Sequence, residues 1–201
     1  SLGSPKKFNL IELGAGNGEM MKILTESFQN FPEFSRSCRI LIHEKSPSLI
    51  KIQKKKLGQN KIIWLSKIEK IKKAPTLFIA NEFFDSIPIK QFIKRKDNWF
   101  EKFVNISDKN KAFFFEKKIN LKNFEKKIDI KISKGQNFIE YSDIGINYLK
   151  DISKMIKLNT GGLLMIDYGY NNKKMKNTLQ AVVNHKFANI LENIGNVDIT
   201  H

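Results

Sequence analysis

Short apolar runs alternate with amphipathic stretches through the first part of the chain. KFNLIELG (7–14) is apolar up to its terminal glycine and predicts a buried strand. GEMMKILTESFQNF (18–31) spaces Met21, Leu24, Phe28 and Phe31 for one face of a helix, which Pro32 ends. CRILIHE (38–44) predicts a second strand, and Ser46 and Pro47 then take the N-cap and first helical positions of a helix reaching Gly58. KIIWLS (61–66) predicts a third strand; TLFIANEFF (76–84), entered through Pro75 and left towards Pro88, predicts a fourth. Strand–helix alternation of this kind builds a mostly parallel, doubly wound α/β sheet.

Beyond this point the pattern changes. Residues 89–140 hold short alternating stretches such as WFEKFVNI and KAFFFEKK around a turn-forming SDKN. They predict a β-hairpin or meander inserted into one domain, not a second full domain, so 1–201 reads as a single domain. DIGINYLKDISKMIKL (143–158) has helical spacing, and GGLLMIDYG (161–169) predicts another buried strand. The tail from Asn171 to His201 carries no terminal strand signal, and no internal repeat is present.

Composition narrows the classes. A chain of 201 residues that is 41% hydrophobic suits one α/β domain and is not disordered. The one cysteine, Cys38, excludes an intrachain disulfide framework and a multi-cysteine metal site, and it points to a reducing compartment. No apolar run reaches the roughly 20 residues of a membrane span, and no signal peptide is visible. The net charge of +16 invites a nucleic-acid reading, yet 33 of the 36 basic residues are Lys and only Arg36, Arg39 and Arg95 are Arg. Readers of phosphate and base edges lean on Arg. Lys abundant beside Ile, Asn and Phe is what an AT-rich genome produces, so a nucleic-acid partner is disfavoured.

The candidate chemistry starts where the first strand meets Glu12-Leu13-Gly14-Ala15-Gly16-Asn17-Gly18. A glycine-rich strand-to-helix turn lets a ligand approach the backbone. A phosphate loop needs Lys-Ser or Lys-Thr after its last glycine, where this chain has Glu19-Met20. A dinucleotide fingerprint needs a glycine where Glu19 stands. E-x-G-x-G-x-G is instead the usual first motif of S-adenosylmethionine methyltransferases; a turn that only packs helix on strand is the other reading. Glu44 ends the second strand, where a doubly wound fold places an acid for ribose hydroxyls, and Lys45 follows it; a surface acid beside the next helix start is the alternative. Asn81, Glu82 and Asp85, in NEFFDSIP, fall at the end of the fourth strand. Two carboxylates there suit a guanidinium or ammonium substrate. Asp167 and Tyr168, at the end of the last strand, are further substrate candidates. Capping or turn roles are the alternatives for each.

These residues resemble a known family. ELGAGNGEMMKIL, HEKSPSL with a following Gln53, ANEFFDSIPIKQF, GGLLMIDYG and TLQAVVNHKFANILENIGNVDITH, in this order, are similar to the MidA-like methyltransferases, which include a mitochondrial complex I assembly-factor arginine methyltransferase. The resemblance implies a Rossmann-like class I methyltransferase fold, S-adenosyl-L-methionine as cofactor, and N-methylation of arginine on a partner protein. An RNA methyltransferase and a non-catalytic assembly protein are the alternatives. It matches Gly14, Gly16 and Gly18 to the cofactor loop, Glu44 to the ribose acid, and Asn81, Glu82 and Asp85 to the signature next to the transferred methyl group; Glu12, Ala15, Asn17 and Lys45, beside these, are further cofactor candidates. Family members commonly have Pro at Ala15 and Arg at Asn17; a loop that works through its backbone tolerates both changes. The resemblance also implies a helical region before the glycine loop and further strands after DITH, both outside this sequence. A bacterial cytoplasm is the expected location, with a mitochondrial matrix as the alternative.

Of the remaining conspicuous residues, His43 reads as a core or cofactor-flanking histidine and His185 as a possible substrate-cleft residue. Trp64 reads as a core or adenine-flanking aromatic. Phe113, Phe114 and Phe115 read as hairpin residues with one face buried, and Cys38 as a small core residue.

Overall fold

A computed structural model of the chain describes residues 2–58, 61–171, 173–184, 186–192 and 195–201. In chain order they form β1 (Phe8–Leu13), α1 (Glu19–Phe28), α2 (Pro32–Ser37), β2 (Cys38–His43), α3 (Pro47–Leu57), β3 (Ile62–Leu65) and β4 (Thr76–Asn81). They continue as β5 (Lys90–Arg95), β6 (Asn98–Ile106), β7 (Ala112–Ile119), α4 (Leu121–Ile128), β8 (Phe138–Tyr141) and α5 (Asp143–Asn159). The last elements are β9 (Gly161–Ile166), β10 (Gln180–Val183), β11 (Lys186–Ala188) and β12 (Asp198–Thr200). The chain divides into two compact units, Ser1–Phe84 with Ile146–Tyr168 and Asp85–Gly145 with Gly169–His201.

The first unit is built on a parallel sheet in the order β3-β2-β1-β4-β9. β1 is central and all six of its residues are buried, as an apolar strand with neighbours on both edges must be. Ile11, Leu13, Leu41, Phe78 and Ala80 form the main core with Ile152 of α5. The order reverses between β1 and β4, and such a switch point opens a crevice at the carboxyl ends of the strands. Asn9 is a polar group of this core that is fully bonded. Asn9, fully buried, donates to Lys72 O at 2.9 Å and Thr76 Oγ1 at 3.0 Å, and accepts from Arg39 Nη1 at 3.0 Å.

Several expectations need correction. Pro32 does not simply end a helix running to Phe31: α1 stops at Phe28, and Pro32 takes the first position of α2, for which its fixed φ is suited. Phe31 is therefore exposed rather than on the buried face of α1. The fourth strand is shorter than 76–84, ending at Asn81. β9 is not buried: Leu164, Met165 and Ile166 are exposed, because β9 is the last strand in the order and has only β4 beside it.

The second unit carries an antiparallel sheet in the order β7-β6-β5-β8 over its own core of Phe92, Trp99 and Ile139, onto which α4 packs Phe124. The expected hairpin is thus four strands and a helix. The tail does contain strands: β11-β10-β12 form a second antiparallel sheet of this unit. Glu140 anchors the stretch before β10, accepting from Thr178 N at 3.1 Å, while His201 N donates to Asp85 O at 3.2 Å. Phe113 and Phe115 are exposed rather than facing a buried side.

Candidate cofactor site

The carboxyl edge of the parallel sheet gathers most of the expected site residues. β1 runs into a loop in which Gly14, Gly16 and Gly18 have φ of 63°, 52° and 83°. L side chains rarely adopt such angles, which is why glycine recurs at every second position. Gly14 N donates to His43 O at 2.9 Å, tying the loop to the end of β2, and Gly18 N donates to Ala15 O at 2.7 Å, closing the turn into α1. A side chain at Gly14 would place Cβ 2.7 Å from the ring of Phe83, whereas one at Gly16 would meet nothing within 4 Å. Ala15 points inward and packs with Met21, Ile42, Leu57 and Ile62; Asn17 is exposed.

Glu12 is 3% exposed, and its Oε2 has no hydrogen-bond partner. Burial alone pushes its carboxyl up to about 7. A buried acid without a donor is costly, and a positively charged or N–H-bearing ligand group would relieve the cost.

Glu44 is buried at the end of β2. Its Oε1 accepts from Lys45 N at 2.8 Å and Ser46 N at 2.9 Å, and its Oε2 from Gln53 Nε2 at 3.2 Å. A carboxylate has about four acceptor directions, so one remains, on Oε2. The sequence expectation of two ribose hydroxyls on Glu44 therefore narrows to one without rearrangement. Gln53, wholly buried on α3, also donates to Gly16 O at 2.8 Å and accepts from Trp64 Nε1 at 2.9 Å. Trp64 thus contributes through its indole N–H as well as by packing.

Lys45 points out, its ammonium 5.2 Å from the centre of the Tyr148 ring. Tyr148 packs edge-on to Phe83 and donates from its hydroxyl to His43 Nε2 at 2.8 Å, while His43 Nδ1 donates to Leu65 O at 3.0 Å. Burial is the first cause that lowers the His43 pKa, with the Lys45 charge adding to it. A neutral ring with both nitrogens engaged is a structural histidine.

At the end of β4, Asn81 is half-buried and Glu82 exposed. Glu82 has φ of 47°, a left-handed angle unusual for a side chain with a Cβ. Its amide donates to Ile166 O at 2.8 Å, and its Oε1 accepts from the Tyr168 hydroxyl at 3.2 Å. Strain of this kind concentrates at functional sites. Asp167 Oδ1 accepts from Tyr168 N at 2.9 Å. Asp85 belongs to the second unit, where it is buried and lines a cavity of about 540 Å3 with Gln91, Glu101 and His201. His185 lies outside the described residues.

The structure therefore brings together Glu12, the glycine loop, Glu44, Gln53 and Trp64 as one cluster, and Glu82, Asp167 and Tyr168 as another. Gln53 and Tyr148 are the participants that residue patterns did not assign. Both had a signal: each is a polar group on the apolar stripe of its helix, Gln53 between Leu49 and Leu57, Tyr148 four residues before Ile152.

A parallel sheet with a glycine loop after β1 and a buried acid, Glu44, after β2 is the architecture of the doubly wound α/β class. The whole chain, residues 1–201, matches a family described as "Putative S-adenosyl-L-methionine-dependent methyltransferase", and it belongs to that family. It is 26% identical over 227 residues to Protein arginine methyltransferase NDUFAF7, mitochondrial, of Xenopus laevis, covering 100% of this chain and 51% of that protein. It is 28% identical over 219 residues to the Caenorhabditis elegans homolog, covering 98% of this chain and 51% of the relative, and 26% identical to the Homo sapiens protein, covering 98% and 50%. The chain thus spans about half the length of the curated relatives it matches. A Burkholderia thailandensis protein solved bound to S-adenosyl-homocysteine superposes with a TM-score of 0.78 at 18% identity, covering 99% of this chain and 53% of that one. The fold is accordingly the Rossmann-like methyltransferase fold, and S-adenosylmethionine is the cofactor of the family.

Proposed function

We propose that this chain carries the S-adenosylmethionine site of a methyltransferase that modifies a protein, with an arginine guanidinium as the acceptor. The observation that carries the reading is the orphaned, buried Glu12 Oε2 beside a loop of left-handed glycines and a Glu44 with one acceptor direction left on Oε2. These groups suit the three polar parts of the cofactor. Glu12 takes the methionyl amine, the loop amides take the carboxylate, and Glu44 Oε2 takes a ribose hydroxyl. Gly14, Gly16 and Gly18 serve through the backbone, as does Asn17; Ala15 anchors the loop in the core, and Lys45 flanks the ribose acid.

When bound, the cofactor supplies an electrophilic methyl group on a sulfonium sulfur. The chain's own part is to hold a guanidinium in line with that methyl, and Glu82 and Asn81, at the end of β4, are the groups for it, with Asp167 and Tyr168 beside Glu82. A guanidinium is a poor nucleophile until acids orient it. As a nitrogen gains the methyl it sheds one proton, and the exposed Glu82 carboxylate passes it to water. Proximity and charge placement then supply the rate. The names of the mitochondrial relatives support arginine in a protein as the substrate class. A bacterial cytoplasm is the compartment we assign on composition.

Methyl transfer from labelled S-adenosylmethionine to arginine-containing protein is the test. Glu82→Gln should lower kcat at least tenfold with little effect on cofactor affinity. Undiminished transfer in that variant would remove Glu82 from the mechanism, and label found on RNA instead would replace the substrate class.

A further inference from the structure

Gln53 occupies a position where α3 otherwise calls for an apolar side chain, and none of its surface reaches solvent. Every polar atom of its amide is used. An indole N–H only donates, so the 2.9 Å contact from Trp64 Nε1 fixes Oε1 on the Trp64 side. That leaves the NH2 group facing two acceptors, Gly16 O at 2.8 Å and Glu44 Oε2 at 3.2 Å. Its three partners come from three segments, the loop after β1, the end of β2, and β3. The amide is thus the one group among the described residues that bonds to both the glycine loop and the ribose acid. Contact continues at Gly18, where an added Cβ would lie 3.4 Å from Gln53 Cγ.

We infer that Gln53 is a positioning residue for the cofactor. It sets the Glu44 carboxylate so that the remaining acceptor direction on Oε2 is presented to the ribose, and it pins the Gly16 peptide so that the loop amides are aimed before the ligand arrives. Trp64 acts one step further out, by keeping the amide the right way round. Preorganisation of this kind raises affinity by removing ordering costs from the binding step. The inference rests on the proposed cofactor site, and the controls below separate the two.

Calorimetric titration of the full chain with S-adenosylhomocysteine tests it, on the wild type, Gln53→Met, Gln53→Glu, Trp64→Phe and the Gln53→Met/Trp64→Phe pair, with circular dichroism as a check on folding. Gln53→Met keeps the volume and removes the hydrogen bonds, and should bind roughly tenfold or more weakly. Trp64→Phe should weaken binding several-fold and add little to Gln53→Met, since both act through one amide. Gln53→Glu sets a second carboxylate against Glu44, and a proton shared between them restores a donor. Its affinity relative to wild type should therefore recover as pH is lowered from about 8 to 5.5, a recovery that a packing role does not produce. Wild-type affinity in Gln53→Met with additive, independent effects at Trp64 would overturn the inference and leave the site intact. Should Gln53→Met fail to fold, Trp64→Phe and the Gln53→Glu pH profile decide alone. Unchanged binding in Glu44→Ala and Gly16→Val, or none by the wild type, would overturn the site and the inference together.

Discussion

A carboxyl group enclosed by apolar strands holds its proton unless something donates to it. Glu12 is such a group, raised by burial from about 4.5 to about 7. Because its folded pKa lies above the unfolded one, the unfolded chain ionises first. Stability therefore falls as pH rises from about 4.5 to 7, and stays reduced above that by roughly 3 kcal/mol at most, taking about 1.4 kcal/mol per pH unit. Glu12→Gln should abolish this dependence, so that wild type loses melting temperature relative to the variant between pH 5 and 8. Parallel curves would place a partner on Glu12. An ammonium group arriving at Glu12 should drive off its proton, so cofactor binding near pH 7 should release protons, read as a dependence of the binding enthalpy on buffer ionisation enthalpy. Glu44 offers a sharper contrast. Its carboxylate is already fixed by three donors, and Glu44→Ala should weaken binding of adenosine-containing ligands by about 10- to 100-fold, the worth of a hydrogen bond to a charged group.

At the scale of elements, α3 joins stability to the site, because its N-cap, Ser46, donates its own amide to Glu44 Oε1 at 2.9 Å. Ser46 Oγ accepts from Leu49 N at 3.4 Å and Pro47 begins the helix. Ser46→Ala should cost about 1 kcal/mol in chemical denaturation, with a loss of cofactor affinity as the Glu44 turn loosens. A cost below about 0.3 kcal/mol would show the cap to be idle. Much of this half of the fold was legible in the sequence. Long apolar runs bounded by glycine and proline marked β1, β2 and β4, and Ser46-Pro47 marked the start of α3. What escaped had physical reasons. Pro32 suits both the end of one helix and the start of another, so α2 was hidden behind α1. QAVV, KFA and DIT are too short to show a period of two. The glycine loop and Glu44 were legible because they lie within one βα unit of each other. Gln53 and Tyr148 were marked only as polar groups on apolar stripes, because their partners are set by packing between elements, up to 105 residues apart for His43 and Tyr148.

For the whole molecule, charge is the feature most open to over-reading. Each compact unit carries 18 basic residues, against nine acidic in the first and eleven in the second. The excess is therefore general rather than confined to the unit with the glycine loop, and it speaks for solvated lysines more than for a nucleic-acid track. Single-stranded RNA should bind this chain only weakly and with steep salt dependence; a sequence-selective complex that survives physiological salt would reverse that view. Among the described residues no helix is long and apolar enough to cross a membrane. The family and the fold support the proposed methyl transfer, and the cofactor step is where that proposal is most exposed. The most direct measurement is calorimetric titration of the 201-residue chain with S-adenosylhomocysteine, alongside Gly16→Val. The φ of 52° at Gly16 strains a β-branched residue and would swing the loop amides away. Micromolar binding by the wild type, lost in the variant, is the predicted result. Equal binding by the two chains, or none by either, would contradict the placement of the cofactor on this loop.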